Sequence, residues 1–246
     1  MKSFLDGVDY LFSGFGLIAR PGLKRFVIIP LVINIILFSI LFVLLSHYAG
    51  MLHDWVSGYL PSWMQWLSTI IWLVFFLGFF FVFIYAFAAL GAITAAPFNG
   101  LLAEKVEMVL TGKIPQDRGL FENIKDMPRI ISRQFAILFF YLPRAVIILV
   151  LFFIPVVHWL AIVLWFVFSA WFLALQYIDF PTDNHKIPVA KVREWLNDRR
   201  AVTLGFGISL MFVMSIPVLN FIAIPAAAAG AAKFWVEENR QRTPVK

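Results

Sequence analysis

The 246-residue sequence contains no cysteine, which excludes disulfides, thiolate nucleophiles and cysteine-ligated metals. Charge is scarce: Asp, Glu, Lys and Arg make up 14% of the chain against about 25% in ordinary globular proteins. Lys and Arg are missing altogether from residues 26–98. No G-x-S-x-G, P-loop or H-E-x-x-H pattern occurs, and His47, His53, His158 and His185 fall on separate segments without metal-ligand spacing. No enzyme constellation, cofactor motif or metal set is therefore expected. The amino terminus lacks the compact apolar core of a cleavable signal and carries Asp6 and Asp9.

What is present is apolar. Hydrophobic residues reach 62% and include 28 Phe and 9 Trp, and the mean hydropathy is +0.88. This predicts an all-α integral membrane protein. The net charge of +6 comes from basic residues at the ends of apolar runs, a pattern for membrane orientation and lipid headgroups rather than nucleic acid.

The chain reads as a single membrane domain, 1–246. Residues 1–19 form an interfacial helix, with Phe4, Leu5, Val8, Leu11, Phe12, Phe15 and Ile18 on one stripe. The first span covers 22–48, contains Pro30 and Asn34, and bends where Pro30 removes a backbone donor. Residues 49–66 hold Trp55, Trp63 and Trp66 and predict an interfacial loop on the far side. The second span, 67–98, is longer than one straight crossing needs, and Gly91 and Pro97 are its expected break points.

A cytoplasmic helical segment, 99–133, follows. It contains an amphipathic helix over 100–111 capped by Gly112, with Leu102, Ala103, Val106, Val109 and Leu110 inward, then a turn at 113–119 and a basic stretch at 120–135. The first hairpin, 134–178, is interrupted at Pro143-Arg144 and turns at Pro155. Its uncharged arm before Pro155 is only nine residues, about 14 Å, so partial insertion is expected there, with Arg144 near the interface. A cytoplasmic segment, 179–200, includes the polar turn Asp183-Asn184-His185-Lys186 and an amphipathic helix over 189–200. The second hairpin, 201–235, breaks at Pro217, Asn220 and Pro225. Basic residues number 4 in 1–25, 7 in 99–144, 5 in 179–200 and 4 in 233–246, so all four segments and both termini belong on the cytoplasmic side.

Residues 20–26, Arg-Pro-Gly-Leu-Lys-Arg-Phe, carry three cations and no acid. Pro21 suits the first turn of a helix, and a helix beginning there would aim free N–H groups and its positive dipole end at the surface beside Lys24 and Arg25. That combination can hold an anion. It equally satisfies the positive-inside rule for a first span, and the residues alone leave both readings open. The Asp183 to Lys186 turn and the Glu104/Glu107 pair read first as a capped surface turn and a solvated face.

Five stretches taken together resemble the CysZ family of bacterial sulfate permeases: 22–31 (Gly-Leu-Lys-Arg-Phe-Val-Ile-Ile-Pro-Leu), 95–104 (Ala-Ala-Pro-Phe-Asn-Gly-Leu-Leu-Ala-Glu), 141–145 (Tyr-Leu-Pro-Arg-Ala), 168–171 (Phe-Ser-Ala-Trp) and 183–186 (Asp-Asn-His-Lys). The resemblance implies an inner-membrane protein taking up sulfate for cysteine synthesis, two long transmembrane helices, half-penetrating hairpins and a homo-oligomer. It implies a sulfate site at Gly22, Leu23, Lys24 and Arg25, with Lys24 where the family often has Arg. Lys lacks the planar fork for bidentate contacts, which Arg25 retains. Arg20 is a possible auxiliary, and Asn34, Asn99, Glu104, Arg144 and Asn220 are polar candidates for a pathway. The competing classes are a non-transporting membrane scaffold or regulatory subunit and an intramembrane enzyme on lipids. The missing catalytic constellation counts against the enzyme.

Overall fold

The computed structural model describes residues 3–59, 61, 63, 65–112 and 127–241, and among these every regular element is helical. The elements are α1 (Phe4–Ile18), α2 (Arg25–Tyr59), α3 (Gln65–Thr111), α4 (Met127–Phe152), α5 (His158–Asn184), α6 (Val189–Asn197), α7 (Arg200–Met214) and α8 (Pro217–Gln241). The expected turn at 113–119 and Lys125 lie outside the described residues. Segments Arg25–Met51, Ser132–Phe152, His158–Asn184 and Leu219–Asn239 are each long and apolar enough to cross a membrane, and α3 contains the apolar stretch Thr69–Tyr85. The chain is an all-α integral membrane protein.

Contacts divide the chain into two compact units, Ile28–Phe98 and the remainder. In the first, aromatic rings meet across α2 and α3: the Phe83 ring lies 5.0 Å from Phe38 and 6.4 Å from Phe42. Most of its other large side chains are exposed, as lipid-facing surface would be.

The larger unit is built on α1, α7 and α8. Asp6 caps α1 by accepting from the Ser3 backbone N–H. Small residues then let the helix backbones touch. A Cβ at Gly7 would lie 2.0 Å from the Val202 carbonyl oxygen, and one at Gly14 2.0 Å from that of Ala226. Gly205 meets Phe4 and Gly207 meets Ala170 as closely. Ala226, Ala227, Ala228, Ala229, Ala231 and Ala232 on α8 are fully buried. Close approach through small residues is how helices pack where no hydrophobic difference between lipid and side chain drives them together.

This packing corrects the reading of α1. Leu11 and Ile18 of its stripe are in the core with Tyr10 and Leu17, whereas Phe4, Leu5 and Phe12 are exposed. Gly7 and Gly14 open a second contact face that an apolar count overlooks.

Other boundaries also move. Helix α2 continues to Tyr59, so residues 49–59 are helix rather than loop. Helix α3 runs through Gly91 and Pro97 without a break; its 47 residues span about 70 Å. Pro143-Arg144 lies inside α4 and Pro225 inside α8. A membrane helix tolerates proline because only one backbone bond is lost and neighbours resupply it. Helix α4 is 26 residues, about 39 Å, so the uncharged stretch before Pro155 closes a longer helix rather than standing as a short arm. The amphipathic stretch 189–200 divides at Asp198 into α6 and the start of α7. The turn at Pro155 is where the sequence placed it, whereas the second hairpin turns at Ser215-Ile216, and the expected break at Asn220 lies inside α8, with the Asn220 N–H donating to the Ile216 carbonyl. Gly112 ends α3 with φ +68°, and Leu102, Ala103 and Val106 are buried while Val109 is exposed.

Candidate functional site

The chain between α1 and α2 is a tight turn. The Arg20 N–H donates to the Leu17 carbonyl at 3.0 Å, and the Leu23 N–H donates to the Arg20 carbonyl at 3.2 Å. Gly22 holds φ +88°, a left-handed value that side-chain-bearing residues rarely adopt. Leu23 is 3% exposed and plugs the turn into the core. Helix α2 begins at Arg25, four residues later than Pro21 suggested, because Gly22 breaks the right-handed path.

Arg20, Lys24 and Arg25 are exposed around this turn. Among the described residues no carboxylate pairs with any of them. The Leu23 N–H is engaged, whereas the N–H groups of Gly22, Lys24 and Arg25 donate to no backbone carbonyl among the described residues. The Arg25 guanidinium lies 5.0 Å from the Phe26 ring centroid. The turn therefore collects positive charge, free donors and no acid, the complement of an acceptor-only dianion.

The other candidates are dispersed. Asn34 is half-buried on α2, Asn99 is 6% exposed on α3, and Glu104 is half-buried one turn on. Arg144 is exposed on α4; it donates to the Phe140 carbonyl at 2.8 Å and covers the Phe140 ring at 3.7 Å. Asn220 is exposed in the first turn of α8, its N–H donating to the Ile216 carbonyl. Among the described residues no hydrogen bond joins Asn99, Glu104, Arg144 or Asn220 to the Arg20 to Arg25 turn.

Two polar clusters go beyond the sequence reading, in which the Asp183 to Lys186 turn is a capped surface turn and Glu107 part of a solvated face. In one, Arg133 grips Asp179 and donates to the Ile187 carbonyl, while Arg129 pairs with Asp183. Beside them Asn184 donates to the Gly100 carbonyl at 3.0 Å, and His185 Nε2 lies 2.9 Å from Glu107. The Asp183 to Lys186 turn is thus a clamp between α5 and the end of α3, tightened by Lys186 at φ 57°. In the other, Tyr10 donates to Glu238 at 3.2 Å, and the Arg199 guanidinium stands 3.3 Å from Glu238 and 4.3 Å from the Trp195 ring centroid. Burial, then the charge of Glu238, pushes the Tyr10 phenol well above its ordinary range. The available signals were Asp179, the first charge after a 20-residue uncharged arm, and Glu238, beyond the alanine run. Among the described residues no group of three or more His, Asp or Glu could hold a metal.

Comparison with known proteins gives a family match and a named relative. The family profile described as sulfate transporter CysZ/etoposide-induced protein 2.4 matches residues 10–225. The chain is 43% identical over 239 residues to a protein of Pectobacterium atrosepticum named sulfate transporter CysZ, covering 96% of this chain and 86% of that one. The family match starts inside α1, takes in the Arg20 to Phe26 turn and the first hairpin, and ends inside α8 just before the buried alanines Ala226 to Ala232. A chain with this span of likeness and this all-helical membrane architecture belongs to the sulfate transporter CysZ/etoposide-induced protein 2.4 family.

Proposed function

We propose that this protein is a permease that takes up sulfate across the bacterial inner membrane for cysteine synthesis, and that sulfate binds first at the turn formed by Gly22, Leu23, Lys24 and Arg25. The 43% identity to a named sulfate transporter over nearly the whole chain carries the substrate. The acid-free turn, with its three exposed cations and free N–H groups, supports the site. Leu23 contributes by anchoring the turn, since its own N–H is already engaged. Donors fall instead to the N–H groups of Gly22, Lys24 and Arg25, with the Lys24 and Arg25 side chains adding charge-assisted bonds and Arg20 adding field.

Asn34, Asn99, Glu104, Arg144 and Asn220 supply polar positions along the apolar helices for the ion's route. Both termini and the charged segments 99–133 and 179–200 face the cytoplasm in this reading. The tip of the first hairpin exposes Phe153 at 81% and Val156 at 89%, which favours a turn dipping into hydrocarbon over one standing in water. Protomers then associate, because a backbone turn at that depth must be covered by protein.

Uptake of radiolabelled sulfate by liposomes containing only this protein tests the function directly: sulfate accumulation above protein-free vesicles is expected, and its absence with folded protein overturns the proposal. Calorimetric titration tests the site. Removing one charged partner from a partly desolvated anion site costs about 1.5–3 kcal/mol, or roughly 10- to 150-fold in affinity. Arg25→Ala is expected to lose most sulfate binding and Lys24→Ala less. Unchanged affinity in a folded Arg25→Ala protein returns these residues to membrane orientation alone.

A further inference from the structure

Residues 129, 132, 133 and 136 of α4 recur at helical spacing and share one face, which 140, 144 and 147 continue. The first part of that face and the start of α6 enclose a groove of about 430 Å³. Arg129, Arg133, Lys186, Arg193 and the Ser132 side chain line it, with Val189 and Ala190 at the N-terminus of α6; among the described residues no carboxylate does. Asp183 and Asp179 compensate Arg129 and Arg133. Lys186 and Arg193 have no carboxylate partner among the described residues, and the Arg193 Nε is buried without a hydrogen bond.

The next part of the face opens into a second groove of about 560 Å³ between α4 and α5. Ile147 and Ile148 form one wall, Leu164, Val167 and Trp171 the other, and Arg144 and Arg200 stand at its edges. Phe140 joins the two grooves. It lines the apolar one, while the Arg193 guanidinium from the basic one lies 4.2 Å from its ring centroid and that of Arg144 3.7 Å.

We propose that this face binds one anionic phospholipid, with its phosphate in the basic groove and an acyl chain in the apolar groove. Position and charge both select that occupant. The basic groove runs from Arg129 to Ala136 of α4 and so straddles Ser132, where the membrane-length apolar segment Ser132–Phe152 starts, which is the level of headgroup phosphates. Phe135 and Phe139 beside it are 53% and 69% exposed, so lipid already surrounds the site. Basic pockets at the ends of membrane helices attract acidic headgroups. A free oxyanion would fill the basic groove and leave the apolar one unused, and a zwitterionic lipid would bring no net charge to Lys186 and Arg193.

Native mass spectrometry of the full chain, released from detergent micelles doped with phosphatidylglycerol or phosphatidylcholine, tests this. One phosphatidylglycerol retained per chain, in preference to phosphatidylcholine, is expected. Lys186→Asn/Arg193→Gln removes the two uncompensated charges, and Asn tolerates the left-handed backbone at 186. It should weaken phosphatidylglycerol binding roughly 30-fold, from about 1 kcal/mol per basic residue. Ile147→Trp plugs the apolar groove from an exposed position, keeps the ion pairs intact, and should also weaken retention. Equal retention of the two lipids, wild-type phosphatidylglycerol affinity in either variant, or displacement of the lipid by millimolar inorganic phosphate overturns the proposal.

Discussion

Arg133 and Asp179 form a buried ion pair between α4 and α5: the Arg133 Nε donates to both carboxylate oxygens at 2.9 Å, and Nη2 donates to Oδ1 at 2.6 Å. Both side chains are under 10% exposed. Burying two charges costs several kcal/mol each, which their mutual attraction offsets only while both remain. Asp179→Ala should therefore destabilise the protein by about 3–5 kcal/mol, because it leaves the buried guanidinium only the Asp183 carboxylate, 3.4 Å away and already paired with Arg129. Replacing the pair together, Arg133→Met/Asp179→Leu, should recover most of that loss. Denaturation in detergent with all three variants distinguishes a paired cost from two independent ones.

Gly14 and Gly16 sit two residues apart on α1 and should respond oppositely to the same change. A Cβ at Gly14 would lie 2.0 Å from the Ala226 carbonyl oxygen, whereas one at Gly16 meets nothing within 4 Å. Gly14→Ala must push α1 and α8 apart and should cost about 3 kcal/mol. Gly16→Ala should stabilise the helix by about 0.5–1 kcal/mol. Unfolding temperatures in detergent check both signs.

Tyr10 makes stability fall at alkaline pH. Its folded-state pKa is raised by burial first and by Glu238 second, so the folded protein keeps the proton while an unfolded phenol releases it near pH 10. The contribution is complete below about pH 10 and declines as pH rises beyond it. Tyr10→Phe should cost about 1 kcal/mol at neutral pH and should remove this part of the decline. Melting of both proteins between pH 8 and 11.5 measures the difference.

Gly22 provides a backbone test of the anion site. A Cβ there meets open space, so any cost comes from φ +88° alone. Gly22→Ala should cost about 1–2 kcal/mol in the turn and shift the neighbouring donors. Gly22→Asn should cost less, since Asn visits left-handed backbone more readily. Sulfate affinity by calorimetry should follow the same order, Gly, then Asn, then Ala.

Cysteine labelling addresses the orientation, helped by a sequence with no native thiol. Trp55→Cys and Ala190→Cys both replace exposed residues. Label applied from one side should reach one and not the other, and position 115 should behave like position 190. Labelling of 115 and 190 from opposite sides would contradict the hairpin arrangement.

The prolines show what the sequence made legible. Pro155 and Pro217 mark real turns, each between the two helices of a hairpin. Pro143 and Pro225 read as breaks by the same rule, yet each lies inside a continuous helix. A proline removes one hydrogen bond, and whether a helix survives depends on neighbours that local pattern does not describe. The basic turn at Arg20 to Arg25 was visible because its residues are consecutive. The partners Arg133 and Asp179, 46 positions apart, and Tyr10 and Glu238, 228 apart, meet only through the packing of distant helices.

The seat of α1 has a consequence for how the protein is made. Helix α1 leaves the ribosome well before α7 and α8, whose carbonyls Gly7 and Gly14 pack against. At about 5–20 residues per second, 228 positions between Tyr10 and Glu238 correspond to roughly 10–45 s of synthesis. Throughout that interval α1 has its two glycine notches empty. Final assembly therefore waits for the carboxyl-terminal helices, and a ribosome stalled before α7 leaves the nascent chain without its keystone.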